Sequence, residues 1–221
     1  MIENVKQKAK QILKDYLNEK GAILYSSIET LKGGNVYILG LNPAGVENKE
    51  NLNEIIDNLH ERKENAYLDE NWSSKTRTYK IGMHPIQKGL KSIANSLKEN
   101  IEDICASNII FIATKRSNEL NFWKLASMCW PLHEEILKIV QPKVVIVFGI
   151  DENGSAYSFL KNKFKPKKII SYASHHGAWE CYSFKTDNYT IIAVPHLSCY
   201  SVYKYPDVLE WINHRYMEAV A

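Results

Sequence analysis

Apolar residues fall in short unbroken runs along this chain, separated by segments whose apolar positions recur three and four apart. The runs are "VYILG" (36–40), "NIIFIAT" (108–114), "KVVIVFG" (143–149), "KKIISYA" (167–173) and "YTIIAVP" (189–195). They are rich in β-branched residues with little polar alternation inside, as expected of strands buried on both faces. Helical spacing fills the intervals. Val5, Ile12, Leu13, Tyr16 and Leu17 make one face over residues 3–18, and further helices are expected near 47–64, 86–97, 122–140 and 153–164. Short strands alternating with helices predict an α/β fold, a three-layer α/β/α sandwich around a mostly parallel sheet. With no repeat and no Pro/Ser-rich linker, residues 1–221 read as one domain, 1–30 being an N-terminal helical extension. One stretch, "NAYLDENWSSKTRTYKIGMHP" (65–85), has no clean period, and an irregular segment of that length points to function.

Composition narrows the class without naming a chemistry. Hydrophobic residues make up 45% and charged residues 24% of 221, which suits a chain that buries a core and does not suit a disordered one. No apolar run is long enough to span a membrane, and the charged, helix-periodic N-terminus differs from a signal peptide, so a cytoplasmic location is expected. Cys105, Cys129, Cys181 and Cys199 form no CxxC pair and read as free thiols. A net charge of +3 permits an anionic partner without requiring one. The densest basic run, Lys161, Lys163, Lys165, Lys167 and Lys168, reads as a solvated surface or as a phosphate-contacting patch.

Chemistry is sought where parallel strands end, because loops and helix N-termini converge there. The first run ends in Gly40-Leu41-Asn42-Pro43-Ala44-Gly45. The amide of Asn42 carries donors and an acceptor, Pro43 fixes φ, and Gly45 admits close approach. A cap in a sharp strand-to-helix turn would use the same residues. The last run ends in "PHLSCYS" (195–201), where His196 could donate to developing negative charge and Ser198 could bind phosphate. A histidine that merely satisfies backbone groups is the plainer alternative.

These two corners resemble the uracil-DNA glycosylase superfamily. Its first motif, in the G-x-N-P form, matches Gly40-Leu41-Asn42-Pro43, and its second, often H-P-S-P, matches His196-Leu197-Ser198-Cys199. Between them "CWPLHEEILKIVQPKVVIVFG" (129–149) looks like the superfamily's helix-then-strand segment. The resemblance runs from about Val36 to Ser201, and it implies a monofunctional DNA glycosylase that flips a deaminated or altered base, uracil or a relative, and hydrolyses its N-glycosidic bond in base-excision repair. Asn42 would position the water, and His196 would bond the base O2 as the base leaves. Gly40, Leu41 and Pro43 would shape the pocket, Ser198 would contact a flanking phosphate, and Tyr200 would wedge into the gap left by the flipped base. Trp72, with Tyr67 and Tyr79 as competitors, would stack on the extrahelical base.

The chain also departs from the pattern. Thr114 stands where most branches carry an asparagine at the end of the second strand, so Asn118, a backbone group or a base other than uracil is implied. Leu197 replaces a proline and would loosen its loop. Ala44 gives a partly different branch pattern. Cys129 matches one iron–sulfur ligand position, yet no N-terminal CxxC accompanies it, so no cluster, metal or other cofactor is expected. His133-Glu134 lacks the second histidine of a zinc protease motif, and "SHHGAWEC" (174–181) reads as a surface turn. DNA is the partner implied, with no membrane and no obligate protein partner evident. The competing reading, prompted by Thr114, is a catalytically silent relative that binds nucleic acid or a nucleobase; a small-molecule N-glycoside hydrolase is a third.

Overall fold

The computed structural model describes residues 2–43, 50–73, 77–114 and 121–221. Its six strands are β1 (Val36–Gly40), β2 (Cys105–Asn108), β3 (Val144–Phe148), β4 (Ile170–Ala173), β5 (Glu180–Lys185) and β6 (Thr190–Val194). They form one sheet in the order β2-β1-β3-β6-β5-β4. The strands β2, β1, β3 and β6 run parallel, while β5 lies antiparallel to both β6 and β4. The class is therefore α/β with a mostly parallel sheet.

Six helices cover it: α1 (Ile2–Ile12), α2 (Leu52–Asp57), α3 (Pro85–Leu97), α4 (Phe122–Val140), α5 (Ala156–Phe164) and α6 (Pro206–Val220). Alternate residues of each parallel strand feed opposite faces, as the two-residue period of a strand requires. Tyr37, Leu39, Val145, Val147, Ile191 and Ala193 pack with apolar residues of α1, α2, α4 and α5. Val36, Ile38, Val144, Ile146, Ile192 and Val194 pack with those of α3 and α6. Two cores, one per face, give three layers.

Local chemistry fixes the helix starts that matter for the site. His84 caps α3, its Nδ1 accepting the Ile86 N–H at 3.2 Å, while Gln87 Oε1 accepts the His84 N–H at 2.9 Å and Pro85 takes the first helical position. Ser155 and Ser158 exchange the same reciprocal bonds at the start of α5.

Several elements differ from the sequence expectation. β2 ends at Asn108, where the expected strand begins. The apolar run after it is buried but leaves the sheet. The N–H groups of Ile109 and Ile110 still donate to Gly40 and Leu41 carbonyls (2.9 and 3.0 Å), and Phe111 O accepts from the Ala22 N–H (2.9 Å). Burial alone thus imitated a strand. α1 stops at Ile12, and residues 20–25 pair alongside the segment 106–112 instead of continuing as helix. The "SHHGAWEC" segment does turn, with His175 and Gly177 at positive φ, but Glu180 and Cys181 open β5, a strand not expected there. Beyond Ser201, where the patterning above assigns no element, α6 buries Val208, Ile212 and Tyr216 against the sheet.

Candidate functional site

The carboxyl ends of β1, β2, β3 and β6 lie side by side, with Gly40 opposite Asn108 and Phe148 opposite Val194. Gly40 is required by close approach. A Cβ there would fall well inside contact distance of Asn108 Oδ1 and 2.7 Å from Phe148 Cζ, so the Asn108 side chain lies across the glycine. Asn108 is only 4% exposed, and its Nδ2 has no hydrogen-bond partner among the described residues. A hydrogen bond with the Asn108 side chain offsets part of the pKa rise that burial imposes on the Tyr25 hydroxyl. Tyr67, ring to ring with Tyr25 at 5.7 Å, has a buried hydroxyl without a partner among the described residues. Each unpaired buried polar group costs about 1–3 kcal/mol, so two in one neighbourhood call for a ligand or solvent to satisfy them.

Beside them, Asn42 Nδ2 donates to Thr114 Oγ1 at 3.0 Å and to Pro43 O at 3.1 Å. Both donors are thereby engaged and Oδ1 is turned to the role of acceptor. Thr114 therefore does not sit at the end of the second strand. It lies six residues past Asn108, where pairing with the Pro43 carbonyl (3.3 Å) brings it to Asn42. The residue at the strand end is an asparagine after all, and Thr114 orients Asn42. Leu41 and Pro43 are half-buried and buried in the same corner; Ala44, Gly45 and the proposed substitute Asn118 lie outside the described residues.

His196 faces this corner from the end of β6. Its Nδ1 accepts the Ser198 N–H (3.3 Å) and lies 2.8 Å from Ser198 Oγ. A ring nitrogen that accepts a backbone N–H carries no proton, so Nε2 carries it and is a donor. Desolvation, with His84 as a second cause, lowers the His196 pKa below the usual histidine value, which favours that neutral state. The Phe148 ring meets the imidazole edge-on at 5.5 Å, and Gly149, at φ 108°, lets the chain pass close beneath it. In this arrangement the Ser198 hydroxyl serves the imidazole. Leu197 does not loosen the loop: it is fully buried and packs on Gly89 of α3, whose Cβ position is 3.1 Å away, so packing holds what a proline would stiffen.

Tyr200 is not a wedge. It is 0% exposed, donates its hydroxyl to Ser174 O at 2.8 Å, and stacks on Tyr205 at 5.4 Å. Trp72 is half-buried in an aromatic group with Tyr25, Tyr67 and His84, its Nε1 donating to Glu70 at 3.1 Å. Tyr67 is buried behind it, and Tyr79 packs edge-on against His84 at 4.9 Å. His84 is the imidazole that sequence reasoning passed over; desolvation lowers its pKa as well. Its signal was present, since "HPIQ" places a proline and a glutamine where a capped helix begins. Asn108 had only a weak signal, a polar residue ahead of an apolar run.

Three cysteines, Cys105, Cys129 and Cys181, are free and buried, with burial pushing each thiol up to about 12. Cys199 is free and exposed. The lysine run lies on α5, which carries Lys161 and Lys163, and on the residues that follow it. Glu152 and Glu134 pair with these two lysines at 2.7 and 3.3 Å, which fits the solvated-surface reading. No helix among the described residues is long and apolar enough to cross a membrane.

Comparison with protein-family models and with curated protein sequences gives no match.

Proposed function

We propose that the protein is a monofunctional DNA glycosylase with a uracil-DNA glycosylase-like fold, hydrolysing the N-glycosidic bond of a flipped uracil or related base. The observation that carries this reading is the meeting, at one sheet edge, of Asn42 with an available Oδ1, His196 with a protonated Nε2, and Asn108 with an Nδ2 that has no partner among the described residues. Uracil's O4 and N3–H edge asks for one donor and one acceptor, which a single amide supplies; Asn108 takes the reading role for which the resemblance had left Asn118 or a backbone group. Asn42 Oδ1 accepts a hydrogen bond from water and holds its oxygen towards C1′. As the C1′–O bond forms, the C1′–N bond breaks and its electron pair leaves with the base, while the water proton passes to solvent. His196 Nε2–H donates to the base O2 as that charge grows, a contribution of about 3 kcal/mol by comparison with single oxyanion donors.

Oligonucleotides bearing uracil, hypoxanthine, xanthine or a thymine mismatch, single- and double-stranded, followed by alkaline cleavage, test the proposal. Abasic sites should form on at least one, and Asn42→Ala, His196→Ala and Asn108→Ala should each slow the reaction by roughly a hundredfold or more. Absence of abasic sites on every substrate would sink it. The binding-only alternative drew on Thr114 at the strand end, and that motive falls away with Asn108 in the place.

A further inference from the structure

Next to the site, a cavity of about 450 Å³ opens between residues 77–80, the first turns of α3 and the turn at Tyr203. Its lining includes Arg77, Lys80 and Lys88 and, among the described residues, no carboxylate. Two of the cations rest on aromatic rings: Arg77 lies 5.0 Å from the Tyr79 ring centre and Lys88 Nζ 4.4 Å from that of Tyr203. A ring face holds a cation in place without neutralising it, so the charge of Lys88 stays available at the rim. Met83, 52% exposed, adds apolar surface to the same wall. Met83 and Pro85 flank His84, which ties this cavity to the His196 corner.

A second cavity of about 440 Å³, lined by Trp123, Lys161, Lys165 and Ile169, offers an internal contrast. There Lys161 is paired with Glu152 at 2.7 Å, and the cavity lies on the α5 side of the sheet. Lys80 and Lys88, in no ion pair with a described residue and set beside aromatic and apolar walls, distinguish the first.

We infer that the cavity between Tyr79 and Tyr203 holds an unstacked nucleotide of single-stranded DNA, its phosphates at Lys80 and Lys88 and its base against the tyrosines and Met83. Volume and charge both point there. The space suits one nucleotide, and a concavity lined by aromatic side chains receives a base only when that base is out of a stack. A duplex surface presents phosphates on a convex cylinder and keeps its bases inside. Placing this nucleotide next to the excised one rests on the glycosylase reading; the binding itself does not.

Fluorescence anisotropy with a short labelled oligothymidylate, and with a duplex of the same length, tests the inference. The protein should bind the single strand more tightly than the duplex. Lys80→Glu and Lys88→Glu should each weaken binding and lower the salt slope by about 0.7 per cation removed. Tyr203→Ala should weaken it by about tenfold, Tyr203→Phe should restore it, and Lys165→Glu in the second cavity should leave it unchanged. Lys80 is exposed, so its variant folds independently of the outcome. Equal affinity of the Lys80 and Lys88 variants and the wild type, or tighter binding of the duplex, overturns the inference. If binding depends on these residues but no oligonucleotide yields abasic sites, the glycosylase reading fails while this site stands; excision with Lys80 and Lys88 variants that bind normally gives the reverse.

Discussion

The histidine at position 133 supplies a sharp test of how the sheet face beneath α4 is held. Its ring is fully buried, stacked on Phe111 at 4.7 Å and flanked by Trp130. Nε2 lies 3.3 Å from Ile109 O, which can only accept, so Nε2 is the donor and Nδ1 accepts from the Tyr37 hydroxyl at 3.0 Å. Protonating Nδ1 would break that bond and place a charge among aromatics. Burial accordingly pushes the pKa down from 6.5 to about 4. The unfolded chain takes up this proton near pH 6.5 and the folded one only near 4, so the stabilisation is complete above pH 6.5 and is lost as pH falls towards 4. At 1.36 kcal/mol per unit the loss is about 3 kcal/mol, a large share of a typical domain's stability. Urea unfolding followed by tryptophan fluorescence, from about pH 7.5 to about pH 4.5, would compare wild type with His133→Phe. At the upper end His133→Phe should be less stable by about 1–3 kcal/mol for each buried partner it leaves unpaired. Because phenylalanine does not titrate, the gap should then narrow by roughly 2–3 kcal/mol on acidification. A gap that stays constant across that range refutes the reasoning.

Other substitutions separate packing from chemistry. Gly40→Ala forces Asn108 and Phe148 apart and should cost about 1–3 kcal/mol in urea unfolding while abolishing any excision activity, because the displaced amide is the proposed base reader. Tyr200→Phe should lower stability by about 1 kcal/mol and leave DNA affinity unchanged, whereas a wedge residue would show the opposite pattern. Thr114→Val removes the acceptor that orients Asn42 and should reduce kcat by about tenfold with little change in KM, a smaller loss than Asn42→Ala.

How much of this was legible in the chain depended on what each element is made of. β1, β3 and β6 are uniform apolar runs, and a strand buried on both faces has no other way to be written. β2 is "CASN", four small or polar residues whose burial comes from neighbours on both sides. The conspicuous "IIFIA" that follows is a connector buried beneath residues 20–25. That displacement by one element put Thr114 in a place belonging to Asn108. β5, "ECYSFK", mixes a carboxylate, a thiol and a hydroxyl, and it is recognisable as a strand only once β6 is there to pair with it. Asn42, His196 and Ser198 were readable because each follows directly on an unmistakable strand. His84 and Asn108 were not, since their importance comes from what packs against them and not from a motif.

The buried Asn108 amide and Tyr67 hydroxyl have a practical consequence. Buried polar atoms without partners gain fold stability from a ligand that pairs with them, through ordinary mass-action linkage, with about 2.7 kcal/mol gained at a hundredfold excess over Kd. On the proposed reading, free nucleobases and nucleosides should rank by how far each raises the melting temperature, with no DNA, no damage chemistry and no turnover. The base that fits would announce itself as heat resistance.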